Sequence, residues 1–461
     1  MILPFSIFFI TVVRLNFGQN KFYLGIVQKS RWEAHFVGIP IFFILLFRPR
    51  NNNMKQSNTN FHSGHSIIAQ LLSMIPMDIF KQAVEEENAD KYYKKLKSID
   101  HFISMFYAVL TRNSSLREVC KNITLIAKML IPFGFRQLPA RSTLSDANRN
   151  RNSAFFATLY RKLYEHFQPG LKSNWLDIGG EVDPSQVEVF DSTTIGLFKD
   201  ILKGAGRNPI NGKKKGGAKV FTKMNLAEGV PDFICIKAAA TNENVFLKLF
   251  ELPEHSIGVH DMGFVCYKHY SKLSDSNRYF VTRKKENAKY EVIREFDCSH
   301  APDIQKDQVI SLKYKEKQAS RTVEVRLVTY TDPVSGETLE FITNLMGVDA
   351  LTVALLYKNR WVIEVFFKQI KQNFELKYFL SDSENGIRIQ IWVALILNLL
   401  FTVLHKRIKE AEDFSTMVMV AAKNLCSFVS LEKFLMNSEE YFKVIFKKNL
   451  EIMQYELFSS G

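Results

Sequence analysis

The apolar residues of this chain change their spacing twice, and that constrains the fold more than any single motif. Between residues 65 and 170 they recur at helical intervals: Ile67, Leu71, Leu72 and Ile75, then Ile99, Phe102, Ile103, Phe106 and Val109. From Val187 short β-rich runs take over, VEVFDST, DFICIKAAA and HSIGVHDMG, and residues 290–345 alternate as in TVEVRLVTYTD and TLEFITNL. Residues 349–376 and 386–409 return to helix, and the last 50 residues read as amphipathic helix. Such an order excludes an all-helical bundle and an all-β sandwich, and predicts an α/β protein whose sheet is covered by helices.

The ends and the cysteines narrow the class further. Residues 1–53 hold two apolar runs, 1–13 and Phe36 to Phe47. Each falls short of the roughly 20 residues that a membrane helix needs. Arg14, Lys21, Lys29 and Arg31 keep the runs apart, and no basic region precedes the first, as a signal peptide requires. This stretch reads as an atypical N-terminal extension, with Met54 a plausible start and no membrane partner. Cys120, Cys235, Cys266, Cys298 and Cys426 are scattered without a CxxC pair, which argues against a disulfide scaffold or a structural zinc site. A reducing cytoplasm is the simplest compartment.

Lys and Arg outnumber Asp and Glu by 61 to 47, a net charge of +14, and the surplus favours polyanionic partners. Part of it is concentrated. Residues 201–223 carry Lys203, Arg207, Lys213, Lys214, Lys215, Lys219 and Lys223 among glycines, without one acid. A basic loop of small residues can approach a phosphate backbone closely. Arg141, Arg149 and Arg151 near the end of the helical region could set a basic helix on DNA. Ser114 or Ser115 can cap one helix there, and Ser142 or Thr143 the next.

Metal-assisted phosphodiester chemistry needs acidic oxygens converging from separate elements. Asp191 and Asp261 each follow a short apolar run and so can end a strand. In YKNRWVIEVFFKQIK, at about 100° per residue, Tyr357, Arg360, Glu364 and Lys371 share one stripe of a helix, opposite Val362, Ile363, Phe366, Phe367, Ile370 and Phe374. That puts a carboxylate between two cations. The same spacing also suits an ordinary i,i+4 Arg–Glu pair on a solvated helix. His260 reads as packing near a strand end, Cys266 as core, and Asp183, Asp232 and Asp275 as structural turn residues.

The spacing Y-(2)-R-(3)-E-(6)-K resembles the YREK motif of DDE transposases of the insertion-sequence-four family, whose catalytic core is RNase H-like. VFDSTT around Asp191 and HDMGF around Asp261 are similar to the contexts of that family's first and second acids, and Glu364 stands at the third. The likeness runs from about Phe61 to about Phe434. It implies an RNase H-like mixed-sheet core with a β-rich insertion and a helical N-terminal DNA-binding domain. The parts would be the extension 1–53, a helical DNA-end-binding region 54–170, a first core segment 171–284, the insertion 285–345, core helices 346–410 and a helical region 411–461.

The resemblance also implies a function. Asp191, Asp261 and Glu364 would hold two Mg²⁺ ions, with Mn²⁺ able to substitute. Arg360 and Lys371 would bind phosphates of the transposon end with Tyr357 nearby, and Lys213, Lys214, Lys215, Lys219 and Arg141 would add DNA contacts. The partners would be double-stranded DNA, as terminal inverted repeats and as target, and a second copy of the chain, in the bacterial cytoplasm at the nucleoid. Departures are Phe221, where relatives carry His, Phe264 in place of Tyr, and Trp361 as the only Trp between Asp261 and Glu364. Two rivals remain open: an RNase H-like nuclease without strand transfer, and an inactive DNA-binding remnant.

Overall fold

The computed structural model describes residues 65–172, 178, 180–196, 217–316, 319–374, 376, 378–408 and 413–436, with positions 23–24, 39–40, 443 and 447. The chain divides into two compact units, Met1–Lys55 and Gln56–Gly461. In the first, β1 (Tyr23–Leu24) pairs antiparallel with β2 (Ile39–Pro40). All other elements belong to the second.

Six helices open the second unit: α1 (Ile67–Ser73), α2 (Met77–Glu86), α3 (Ser98–Leu110), α4 (Leu116–Leu130), α5 (Arg141–Asn150) and α6 (Ala154–Phe167). α4 shows why they form. Leu116, Val119, Ile123, Ile126 and Leu130 fall on one face and are buried, and the hydroxyl of Ser115 accepts the Glu118 N–H at its N-terminus. α5 departs from expectation. It starts at Arg141 with no side-chain cap, so Ser142 and Thr143 lie inside its first turn.

The strands β3 (Val187–Gly196), β4 (Gly217–Asn225), β5 (Pro231–Ala238), β6 (Ile257–His260), β7 (Tyr279–Arg283), β8 (Tyr290–Glu295), β9 (Ile304–Glu316), β10 (Ala319–Thr331) and β11 (Thr338–Thr343) make one nine-stranded sheet. Its order is β5-β4-β3-β6-β7-β11-β10-β9-β8. β3, β4 and β5 are antiparallel, while β6 and β7 run parallel to β3, the mixed sheet expected of an RNase H-like core. The β-rich segment after β7 continues this sheet, because β11 returns to pair with β7.

One sequence reading is corrected here. GAKVFTKMN is not loop but strand β4, paired residue by residue with β3. Its glycines and lysines hid a short alternation, and two of its cations are occupied. Lys223 is buried between Glu188 and Asp232, and Lys219 lies 3.2 Å from Glu243. Buried cations need such partners.

Period two sorts the sheet residues into two cores. Val187, Val189, Val259, Val281 and Phe341 face the larger core, with the helices. Phe190, Phe221, Phe280, Leu327 and Ile342 face a smaller aromatic core completed by Phe246, Phe264 and Tyr270. There Phe221 stacks on Phe246 at 5.0 Å and His260 on Phe190 at 4.7 Å. So the departures Phe221 and Phe264 are core residues. The helix α7 (Tyr267–Ser274) supplies Tyr270 to this second face.

On the first face lie α8 (Ala350–Asn359), α9 (Trp361–Asn373) and the 24-residue α10 (Glu384–Arg407), followed by α11 (Phe414–Lys423) and α12 (Leu431–Met436). α10 is long and apolar enough to cross a bilayer, but 83% of its apolar window is buried inside the fold. It packs against α3, α5, α6, α9 and α11 and so joins the N-terminal helices to those of the core. The helix expected beyond residue 436 lies outside the described residues.

Candidate active site

The parallel pairing of β3 with β6 aligns Phe190 with His260. The residues that follow, Asp191 and Asp261, therefore emerge side by side where the two strands part. Both carry odd numbers, like Val189 and Val259 before them, so strand alternation aims them at the helical face. Asp261 directly follows β6, as expected of a strand-end acid, but Asp191 lies within β3, which runs on to Gly196 paired with β4; only its parallel pairing with β6 ends before it.

Glu364 reaches this point from α9. A continuous helix was expected through Tyr357 and Lys371, but the helix breaks at Arg360, which ends α8 and starts α9. The Arg360 N–H bonds the Tyr357 carbonyl at 3.0 Å and the Ile363 N–H bonds the Arg360 carbonyl at 3.1 Å, a tightened three-residue turn. No Pro or Gly marks the break. The apolar face stands: Ile363, Phe366, Phe367, Ile370 and Phe374 are buried, with Val362 packed against the same core.

The break lets Arg360 bridge two of the acids. Its Nη1 donates to Asp191 Oδ2 at 3.0 Å, and its Nη2 donates to Glu364 Oε1. The Arg360 side chain is 14% exposed and that of Asp191 17%. Tyr357 is buried against the Phe341 ring and donates its hydroxyl to Asp261 Oδ1 at 3.4 Å. The Arg360 guanidinium lies 5.4 Å from the Tyr357 ring. Two residues of the spaced set, Tyr357 and Arg360, thus touch the aspartates, and a third, Glu364, is joined to Asp191 through Arg360.

Electrostatics mark the same place. Burial pushes the Asp191 carboxyl up to about 6; the Ser192 N–H and Arg360 pull it back, and the charges of Asp261 and Glu364 push it further. Burial raises the Tyr357 hydroxyl to about 12, so it donates throughout the ordinary pH range. His260 is fully buried and lowered to about 4, a neutral packing ring as its context indicated. Lys371 is half-buried, and burial lowers its ammonium pKa.

Among the described residues, no three His, Cys, Asp or Glu side chains converge on a metal position as they stand. The donor chemistry nevertheless fits a hard divalent cation: Asp191 and Glu364, from a strand and a helix, share the Arg360 guanidinium, and Asp261 stands just past the adjacent strand. Ligation by Asp191 Oδ2 and Glu364 Oε1 competes with Arg360 for those oxygens.

The expected DNA contacts fare differently. Arg141 is exposed in the first turn of α5. Arg149 pairs with Asp382 at 3.4 Å on the surface. Arg151 is a correction: it is buried, 4.0 Å from the Tyr93 ring centre, bonded to the Leu96 carbonyl and Ser98, and paired with Asp90. Its alternation with polar neighbours gave no sign of this long-range pocket. Lys219 is corrected too, its ammonium being held by Glu243 and the Thr241 carbonyl. Lys213, Lys214 and Lys215 lie outside the described residues. Arg117, Lys121 and Lys128, not among the expected contacts, are all exposed along α4, and their spacing of four and seven residues sets them on one stripe opposite its buried face.

Comparison with known proteins bears on the domains that carry these residues. Residues 183–400 match the family described as "Transposase DDE domain", and residues 63–136 match the domain of unknown function DUF4372. The second unit therefore carries a transposase DDE domain, the domain of an enzyme that cuts and transposes DNA. A protein of Sinorhizobium fredii named as the transposase y4zB is 27% identical over 56% of this chain and 69% of its own length. A Synechocystis protein named as the transposase for insertion sequence element IS4SA is 27% identical over 57% of this chain and 71% of its own. The cryo-EM structure of a piggyBac transposase synaptic complex with hairpin DNA aligns with a TM-score of 0.38 at 10% identity over 80% of this chain and 81% of its own, too slight a likeness to carry an argument. Transposase DDE domains work with divalent metal ions.

Proposed function

We propose that this transposase cleaves the ends of its own insertion sequence and joins them to target DNA at a site built from Asp191, Asp261 and Glu364. We place it in the insertion-sequence-four branch on the spacing of Tyr357, Arg360, Glu364 and Lys371. The observation that carries the reading is the paired emergence of Asp191 and Asp261 from adjacent parallel strands, with Glu364 joined to Asp191 through Arg360.

In this reading the three carboxylates hold two Mg²⁺ ions, or Mn²⁺ in their place. When bound, such ions supply Lewis-acid charge to the scissile phosphate and make water or a 3′-hydroxyl a stronger nucleophile. Tyr357 keeps Asp261 oriented through its hydroxyl. Arg360 turns from the carboxylates to a phosphate of the DNA end, where its planar fork suits two oxygens at once. Lys371, about 10 Å further along α9 from Glu364, meets the backbone next to the cut. The helical region 54–170 holds the terminal inverted repeats, and two copies of the chain pair the two ends.

The test is cleavage of an end-containing duplex with Mg²⁺ by the wild type and by Glu364→Gln. Loss of cleavage with DNA binding retained is the expected result, and unchanged cleavage overturns the assignment. Joining of the cut end to a plasmid separates transposition from hydrolysis alone.

A further inference from the structure

The strand alternation that aims Asp191 at the helices aims its neighbour Ser192 at the opposite face of the sheet. There the Ser192 hydroxyl donates to Glu243 Oε1 at 3.2 Å, and Lys219 donates to the same oxygen at 3.2 Å. Glu243 opens a 3₁₀ turn, Glu243–Lys248, whose Phe246 is fully buried in the aromatic core. The Asn242 side chain caps that turn by accepting the Asn244 N–H at 2.8 Å. The carboxylate is thus held in place from below.

Its second oxygen lies beside Gly263. A Cβ added at Gly263, two residues after Asp261, would stand 2.7 Å from Glu243 Oε2. The carboxylate therefore occupies the space a side chain at Gly263 would need, and the glycine of HDMGF lets Glu243 keep its place. Strand pairing between β3 and β6 ends at Phe190 and His260. Beyond that pair no ladder fixes the distance from Asp191 to Asp261.

We propose that Glu243 is a positioning residue that props the two aspartate segments from behind the sheet, hydrogen-bonded to Ser192 on one side and packed beside Gly263 on the other. It touches neither DNA nor the reacting atoms. Lys219 holds the carboxylate in place by an ion pair, which is why this cation belongs to the site's support and not to the DNA surface. This support sets the spacing of Asp191 and Asp261, and thereby their joint affinity for a divalent ion. The inference rests on the reading of those two residues as metal ligands.

Mn²⁺ binding to the full chain without DNA, followed by electron paramagnetic resonance, tests it. Glu243→Ala should weaken Mn²⁺ binding about tenfold or more, the usual effect of removing a support behind metal ligands. Glu243→Gln keeps an acceptor for Ser192 and the packing on Gly263, and should retain most of the affinity. Gly263→Ala should weaken binding as Glu243→Ala does, yet add no further loss once Glu243 is Ala, because the collision is gone. Wild-type Mn²⁺ affinity in a folded Glu243→Ala variant overturns the positioning role, as do independent, additive losses in the double variant. Asp191→Asn separates the two ideas. If it too binds Mn²⁺ like the wild type, the ligand assignment falls and the positioning role with it; if it loses the ion while Glu243→Ala does not, the positioning role alone falls.

Discussion

Arg360 Nη1 stands 3.0 Å from Asp191 Oδ2, joining a residue at a helix break to one within β3, 169 positions earlier. The same guanidinium holds Glu364, so one side chain balances two acids at a half-open site. Removing it leaves both carboxylates facing Asp261 without a counter-charge. Arg360→Ala should therefore have a lower Tm without metal and recover more of it on adding Mn²⁺ than the wild type does. Arg360→Lys should sit between, since an ammonium cannot fork across two carboxylates. DNA cleavage should fall by about 100-fold or more in the Ala variant, the scale on which preorganised charge acts on a reacting phosphate. Differential scanning fluorimetry and a nicking assay give both numbers. An equal Mn²⁺ response in the two proteins would count against competition for the same oxygens.

Asp191 is held at a cost to stability. Its folded carboxyl titrates near 6 against an ordinary 3.8, chiefly because it is buried. A raised carboxyl pKa means that the folded state favours the protonated form. Stability from this group is full below pH 3.8 and is lost as the pH rises through about 6. Asp191→Asn, neutral at every pH, should be more stable than the wild type at pH 7.5 by about 1–3 kcal/mol, with the gap closing below pH 4. Urea unfolding at pH 7.5 and pH 4 measures it. A destabilised Asn variant at pH 7.5 would show that the Arg360 ion pair outweighs burial.

His101 gives the opposite slope. Its ring is buried in α3 with Nε2 2.8 Å from Asn148 Oδ1, and burial lowers its pKa to about 4. The folded state favours the neutral ring, so its stability contribution is full above pH 6.5 and lost as the pH falls to about 4. His101→Gln can keep a bond to Asn148 without titrating. The wild type should lose roughly 2–3 kcal/mol more than this variant between pH 7 and pH 4. Parallel urea curves across that range would exclude His101 as the source of acid sensitivity.

What the sequence revealed depended on how local the determining contacts are. The strands around Asp191 and Asp261 were legible because period two needs only neighbours, and so was the buried face of α9. β4 was hidden because its lysines are neutralised by Glu188, Asp232 and Glu243, none of which lies beside them in the chain. The break at Arg360 carries no Pro or Gly and shows only once Asp191 is opposite it. Glu243 escaped notice for the same reason: it lies on a short turn, and only the folded sheet brings it to Ser192 and Gly263.

The arginines of the helical region allow a last contrast. Arg141 is exposed on α5, as are Arg117, Lys121 and Lys128 on α4, whereas Arg151 is buried against Tyr93 with Asp90 and Ser98. If the exposed set meets DNA phosphates, each neutralisation should weaken binding across all sequences and reduce the slope of log K against log salt by about 1. Arg117→Gln, Lys121→Gln, Lys128→Gln and Arg141→Gln should do so with Tm unchanged. Arg151→Gln should act on the fold, costing about 3–5 kcal/mol, because it strips a buried pair of its cation and leaves the Leu96 carbonyl unmatched. Fluorescence anisotropy with labelled duplex at several salt concentrations, beside melting curves, separates the two. A salt slope unchanged in the four surface variants would move the DNA-end contact away from α4 and α5.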